Sequence, residues 1–137
     1  MKKQTIEKVL PTALKALQSP ECKICNNGSI PKAYRSQISA FGSAVTMGSF
    51  KAAVAFYSED VEGRGVSRSE LLRAIYYVAH KSDALGDVRQ ENCWLDAKKV
   101  VEKILTLDER EARAERDRFL HAAVALKLAM NAFNLTK

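Results

Sequence analysis

The sequence predicts an all-α protein: a compact single-domain bundle of about six helices over residues 1–137, with a long helix at the C-terminal end. Three observations carry that expectation. The chain has 137 residues, 47% of them hydrophobic, which suits one domain and supplies a core without a disulfide or metal framework. Apolar residues recur at helical spacing almost throughout. Ser or Asp also stands three residues before Glu or Gln at several segment starts, where paired side chains satisfy the orphan N–H groups of a first turn.

Ile6, Val9, Leu10, Ala13, Leu14 and Leu17 form one stripe on a first helix from about Thr5 to Gln18. Pro11 lies inside it and removes one ladder donor, so a kink or a later start is expected. Ser19 to Pro31 collects Pro20, Asn26, Asn27 and Gly28 and reads as a loop. Pro31 suits the first turn of the next helix, where a missing N–H costs little. Tyr34, Ile38, Phe41 and Val45 step along its inner face, and Gly42 suggests a close helix–helix approach. Gly48 ends it. Ser49 to Tyr57 is nearly continuously apolar, so period alone leaves a strand open; its alanines favour a short helix packed beneath, with Phe50, Val54, Phe56 and Tyr57 inward.

Gly63 and Gly65 mark the next loop. Ser67 and Glu70 then form a capping box, with Val66 and Leu71 placed for a hydrophobic staple, and open a helix to about Lys81. Gly86 breaks the chain, Asp87 with Gln90 offers another box, and Trp94, Ala97, Val101, Ile104 and Leu105 give a further stripe. Asp108 with Glu111 opens a last helix of about 26 residues to Asn134, ~39 Å long. Its first three turns are charged. From Phe119 to Phe133 it is apolar nearly all round, as a central buried helix is.

No apolar run approaches the ~20 residues of a membrane span. Glu7, Lys8 and Pro11 interrupt anything resembling the apolar region of a signal peptide, so a soluble, cytoplasmic protein without a membrane partner is expected. Cys22-Lys23-Ile24-Cys25 is a CxxC, but a structural zinc site wants four ligands, and only Cys93, His80 and His121 remain as soft candidates. Unpaired thiols in a reducing compartment are the expected state, with metal or redox use the lesser alternative. His80 near a helix C-terminus and His121 among Phe119, Leu120, Ala122 and Ala123 stand at no triad or metal spacing. Phosphate-loop, dinucleotide and HExxH signatures are absent. The expectation is a protein that is not an enzyme and takes no cofactor.

Lys and Arg number 22 against 16 Asp and Glu, a formal charge of +6 with pI ≈ 9.3. Residues 1–58 carry eight basic side chains against Glu7 and Glu21, which is the whole excess; residues 59–137 are balanced at 14 of each. Within the second half, acids and bases interleave over 109–118, a solvated face or a protein–protein surface. Within the first, Lys8 and Lys15 share the outer face of the first helix, and Lys32 and Arg35 share one edge of the second. Together with Lys51 they form a candidate surface for a phosphate backbone. Tyr34, Phe41, Tyr57, Tyr76 and Tyr77 read as core rather than base-stacking platforms.

Four segments, taken in order, resemble a known family: Ile30-Pro31-Lys32-Ala33-Tyr34-Arg35-Ser36; Ser43-Ala44-Val45-Thr46-Met47-Gly48-Ser49; Ala53-Val54-Ala55-Phe56-Tyr57; and Ala122-Ala123-Val124-Ala125-Leu126-Lys127-Leu128-Ala129-Met130. They are similar to the small subunit of the type III-B CRISPR RNA-guided effector, the Cmr complex, over nearly the whole chain. The Cys-containing loop is not part of that likeness. The resemblance implies a non-catalytic helical subunit in antiviral defence. Copies would stack along the filament of backbone subunits and help hold guide and target RNA, beside a large subunit; RNA cleavage would belong to the backbone subunit. Lys8, Lys15, Lys32, Arg35 and Lys51 would then face RNA phosphates, with the 109–118 face against a neighbouring subunit. The alternative is a small helical adaptor that binds only protein.

Overall fold

The computed structural model describes residues 3–60, 66–82 and 93–136. Its elements run α1 (Lys3–Gln18), β1 (Ser29–Pro31), α2 (Ala33–Met47), α3 (Phe50–Tyr57), α4 (Arg68–Lys81), α5 (Ala97–Leu105), α6 (Glu109–Ala129) and β2 (Asn134–Thr136), with a 3₁₀ turn over Met130–Ala132 between the last two. The all-α bundle with a long C-terminal helix is therefore what the chain forms. Among the described residues, no helix is long and apolar enough to cross a membrane.

Helix α6 is the axis of the bundle and packs against α1, α2, α3 and α4. Phe119, fully buried on α6, is the centre of an aromatic cluster. Phe50 of α3 meets it edge-on at 5.1 Å, Tyr76 of α4 at 6.2 Å, and Phe41 of α2 lies tilted at 6.5 Å. Ile6, Val9, Ala13 and Leu17 bury the α1 stripe. Pro11 sits on the exposed side of an uninterrupted α1 that begins at Lys3, earlier than the proline suggested.

Three helix starts are set by side-chain caps. Ser49 Oγ accepts the Ala52 N–H at α3, which resolves residues 50–57 as helix rather than strand. At α6 the full box forms: Asp108 accepts the Glu111 N–H at 2.8 Å, and Glu111 accepts that of Asp108 at 3.3 Å. At α4, Ser67 accepts the Glu70 N–H, but Glu70 turns to Arg73 instead of completing the box. The Tyr34 hydroxyl accepts the Ser67 N–H at 2.8 Å in its place, and Asp60 accepts from the Ser69 N–H and from the Ser67 and Ser69 hydroxyls. Modest burial raises the Asp60 carboxyl, yet these donors win and hold it below its ordinary value. The proposed Asp87–Gln90 box, the break at Gly86 and the loop glycines Gly63 and Gly65 lie outside the described residues.

Several expectations need correction. The segment between α1 and α2 is not only loop, because β1 pairs in parallel with β2, Ile30 opposite Leu135. Asn27 and Gly28, at φ 54° and 79°, turn the chain so that Asn26 and Ser29 exchange backbone hydrogen bonds before β1. Pro31 accordingly ends a strand, where an edge position tolerates its missing N–H. The last helix stops at Ala129 because Phe133 goes extended and residues 134–136 join β1. On α5 the buried positions are Ala97, Val100 and Ile104, while Val101 is half-buried and Leu105 is exposed. Phe56 is 61% exposed, with the Arg68 guanidinium 4.7 Å over its ring. Nothing approaches Gly42: a Cβ there would meet no atom within 4 Å.

Gly42 inside α2 and Gly48 just after its end respond oppositely to alanine. Gly42→Ala should raise stability by about 0.5–1 kcal/mol through helix propensity. Gly48→Ala should lower it, since its Cβ would stand 2.9 Å from the Ala44 carbonyl oxygen. Denaturant midpoints of the two variants check both signs.

Candidate nucleic-acid interface

The ends of the elements decide which cations can act together. The C-terminal end of α1, the turn before β1 and the chain after α6 meet at one pole of the bundle. Leu17, Gln18, Gly28 and Phe133 line a common cavity there, and the Asn134 N–H donates to the Gly28 carbonyl. Helix α2 starts at the same pole, with the Lys32 N–H bonded to the Thr136 carbonyl at 2.6 Å. Lys15, Lys23, Lys32, Arg35 and Lys127 thus belong to the elements of this pole, against Glu21 alone in residues 15–35 and 124–136. Lys8 lies seven residues before Lys15 on the same exposed side of α1, about 10 Å along its axis. Lys23 and Lys127 were not singled out by spacing; only the meeting of three chain segments places them here.

Ion pairing leaves these groups alone. The carboxylate partners in the structure go elsewhere: Arg73 to Glu70 and Glu21, Arg113 to Glu109, Arg116 to Asp117, Lys99 to Glu102. Lys8, Lys15, Lys23 and Lys32 meet no carboxylate within 4 Å among the described residues.

Lys51 is different. It starts α3 at the opposite pole, beside Glu109 and Arg113 of the first α6 turns. Its Nζ donates to the Leu107 carbonyl at 2.6 Å and to that of Leu105 at 3.5 Å. A half-buried ammonium on the carbonyls that end α5 holds two elements together and is separated from the other cations. Arg35 is half-buried in a groove between α2 and α6, and its Nε is withdrawn from solvent without a hydrogen-bond acceptor. Lys127 lines the same groove, with its Nζ on Ser39 Oγ at 2.6 Å.

The 109–118 face is not uniformly solvated either. Glu115 is 7% exposed. His80 Nε2–H of α4 donates to its Oε2 at 2.8 Å, and Arg118 donates to its Oε1 at 2.6 Å. Burial raises the Glu115 carboxyl, but His80 and Arg118 outweigh it and hold the group below its ordinary value. Tyr76 covers the imidazole at 4.5 Å. Both carboxylate oxygens are engaged, so this buried pair ties α4 to α6 rather than offering a free base. Interleaved charge hid it: spacing cannot tell an acid that faces solvent from one that faces a histidine 35 positions away. His121 donates Nδ1–H to the Asp117 carbonyl at 2.7 Å.

Cys22 is buried and Cys25 half-buried, and neither is in a disulfide. Burial pushes the Cys22 thiol up against the pull of the Ile24 and Cys25 backbone N–H groups. Among the described residues, no three His, Cys, Asp or Glu side chains converge as a metal site. Tyr34, Phe41, Tyr57 and Tyr76 are core residues, and Tyr77 stacks on Trp94 at 4.4 Å.

No family model matches the chain, and no curated protein or solved structure matches it.

Removing Glu115 takes away the buried carboxylate that His80 and Arg118 both hold across the α4–α6 contact, so Glu115→Ala should cost about 3 kcal/mol at neutral pH. The carboxyl is depressed on folding, so its contribution is complete above its ordinary value of 4.5 and fades as pH falls through the lower folded value. The stability gap between the parent and Glu115→Ala should therefore narrow below about pH 4.5, which denaturant melts across pH will read.

Proposed function

We propose that the chain is a non-catalytic helical subunit of a type III-B CRISPR effector, working on guide and target RNA through shape and charge. The observation that supports this is the uncompensated cationic pole, continued along α1. Lys8, Lys15, Lys23 and Lys32 are exposed and meet no carboxylate among the described residues, whereas in the second half of the chain Arg73, Arg113, Arg116 and Arg118 each meet one.

Free ammonium groups on one pole neutralise phosphates and release their counterions, which gives affinity without sequence preference. Lys8 and Lys15 extend the contact along α1, and Lys23 and Lys32 continue it across the turn and the start of α2. Stacked against further copies and against backbone and large subunits, such a block would stiffen the filament and hold the target strand. The cutting chemistry stays with the other subunits.

Fluorescence anisotropy with a single-stranded RNA oligomer tests the assignment. Binding should fall steeply with salt, and Lys8→Glu/Lys15→Glu/Lys32→Glu should flatten the log–log slope by about 2, near 0.7 per lost contact. Lys51→Glu should leave the slope unchanged while lowering stability. A parent protein whose RNA binding is absent or indifferent to salt is instead a protein-only adaptor.

A further inference from the structure

A groove open to solvent runs between α2 and α6. It measures about 610 Å³, with Ile38, Gly42, Leu120, Ala123 and Leu128 as its apolar lining. Leu128 remains 45% exposed within this otherwise buried stretch of α6. Gly42 lines it with open space above it, so the close helix approach that a mid-helix glycine permits is not made by any of the described residues.

One end of the groove is cationic. Arg35 and Lys127 both line it, and no acidic residue does. The Arg35 Nε–H is buried and lacks an acceptor among the described residues, a state that favours any occupant able to supply one. A carboxylate is the acceptor whose geometry fits a guanidinium.

We propose that this groove is the docking site for an α-helix of another protein, seated by small apolar side chains over Gly42 and by an acidic side chain at Arg35 and Lys127. From Arg35 to Thr46 the α2 wall runs eleven residues, about 16 Å, which is three turns of an incoming helix. RNA is the poorer occupant, because a phosphate backbone needs cations along its path and these stand at one end only. A second copy is poorer too. Its exposed acids Glu109, Glu111 and Asp117 are interleaved with Arg110, Arg113 and Arg116, which would be brought against Arg35 and Lys127. The inference does not rest on the RNA reading.

The test uses the full chain and a fluorescein-labelled alanine–leucine helix of about 18 residues, long enough to be helical, with an i,i+4 glutamate pair near one end. Anisotropy should show saturable binding. Replacing both glutamates with lysine should weaken it about tenfold or more, as should Arg35→Gln and Gly42→Leu, with melting curves confirming that both variants fold. Gly42→Leu fills the groove without touching a charge; Arg35→Gln removes the charge without filling the groove. The proposal is overturned if the peptide does not bind saturably or if its lysine version binds equally well. It is also overturned if Gly42→Leu leaves binding intact, or if Gly42→Leu weakens the binding of an RNA oligomer as much as it weakens the peptide, which would place RNA in the groove. Self-association of the parent that Gly42→Leu abolishes would assign the groove to a second copy instead.

Discussion

The need to cover α6 governs the rest of the molecule. Phe119, Ala122, Ala123, Ala125, Leu126 and Ala129 leave little of that helix fit for water, and Glu115 adds a carboxylate to the same buried surface. An alanine-rich helix lets its neighbours come close, and the large groups are supplied from outside: Phe41, Phe50 and Tyr76 converge on Phe119 from three different helices. A buried acid is kept in such a wall by donors that engage both of its oxygens. Arg118 comes from one turn further along α6 and His80 from α4, so the electrostatic requirement and the packing requirement select the same helix pairing. What α1 to α4 do not cover is the strip holding Val124, Lys127 and Leu128, and that strip is the groove wall.

Charge is segregated for the same reason. Surfaces on the second half of the chain are laced with short-range pairs, Arg113–Glu109 and Arg118–Glu115 among them, whose fields cancel within a few ångströms. The segments that build the pole, the end of α1, the β1 turn and the start of α2, hold only Glu21, drawn toward Arg73 at 3.8 Å, although Asp60 and Glu70 approach Tyr34 from the start of α4. Lys15, Lys23, Lys32, Arg35 and Lys127 against Glu21 leave that pole with a formal +4, and it is this local density, more than the total of +6, that a polyanion would feel.

Much of the fold could be read from the sequence because its helices obey local rules. The Tyr34–Ile38–Phe41–Val45 stripe is buried as spaced, and the Asp108–Glu111 box forms on both sides. What could not be read depends on residues far apart in the chain. A three-residue strand such as Ser29–Pro31 has no period to detect, and its partner is a hundred positions away at the end of an apolar helix pattern. Val100 displaced Val101 on the α5 face because apolar residues in succession leave the phase of a short helix undetermined. For the candidate interface, the spacing placed Lys8, Lys15 and Lys32 on exposed positions but could not foresee Lys23 and Lys127 beside them. Nor could it see that Lys51 would meet the carbonyl ends of α5, since nothing local distinguishes a lysine near a helix terminus of another segment.

The two surfaces meet at α2. Lys32 faces outward just before the helix, and Arg35 lies one turn further in, within the groove. Charges that close lie within the ~8 Å screening length of physiological salt, so each surface feels the occupant of the other. An acidic helix seated on Arg35 and Lys127 would remove part of the positive potential that Lys15, Lys23 and Lys32 offer to phosphate, and phosphate bound there would in turn raise the local demand for cations. Linkage requires the two effects to be equal in free energy. Were both occupants anionic, each would lower the positive potential left for the other, so the coupling would be antagonistic, and raising salt would weaken it along with both binding events.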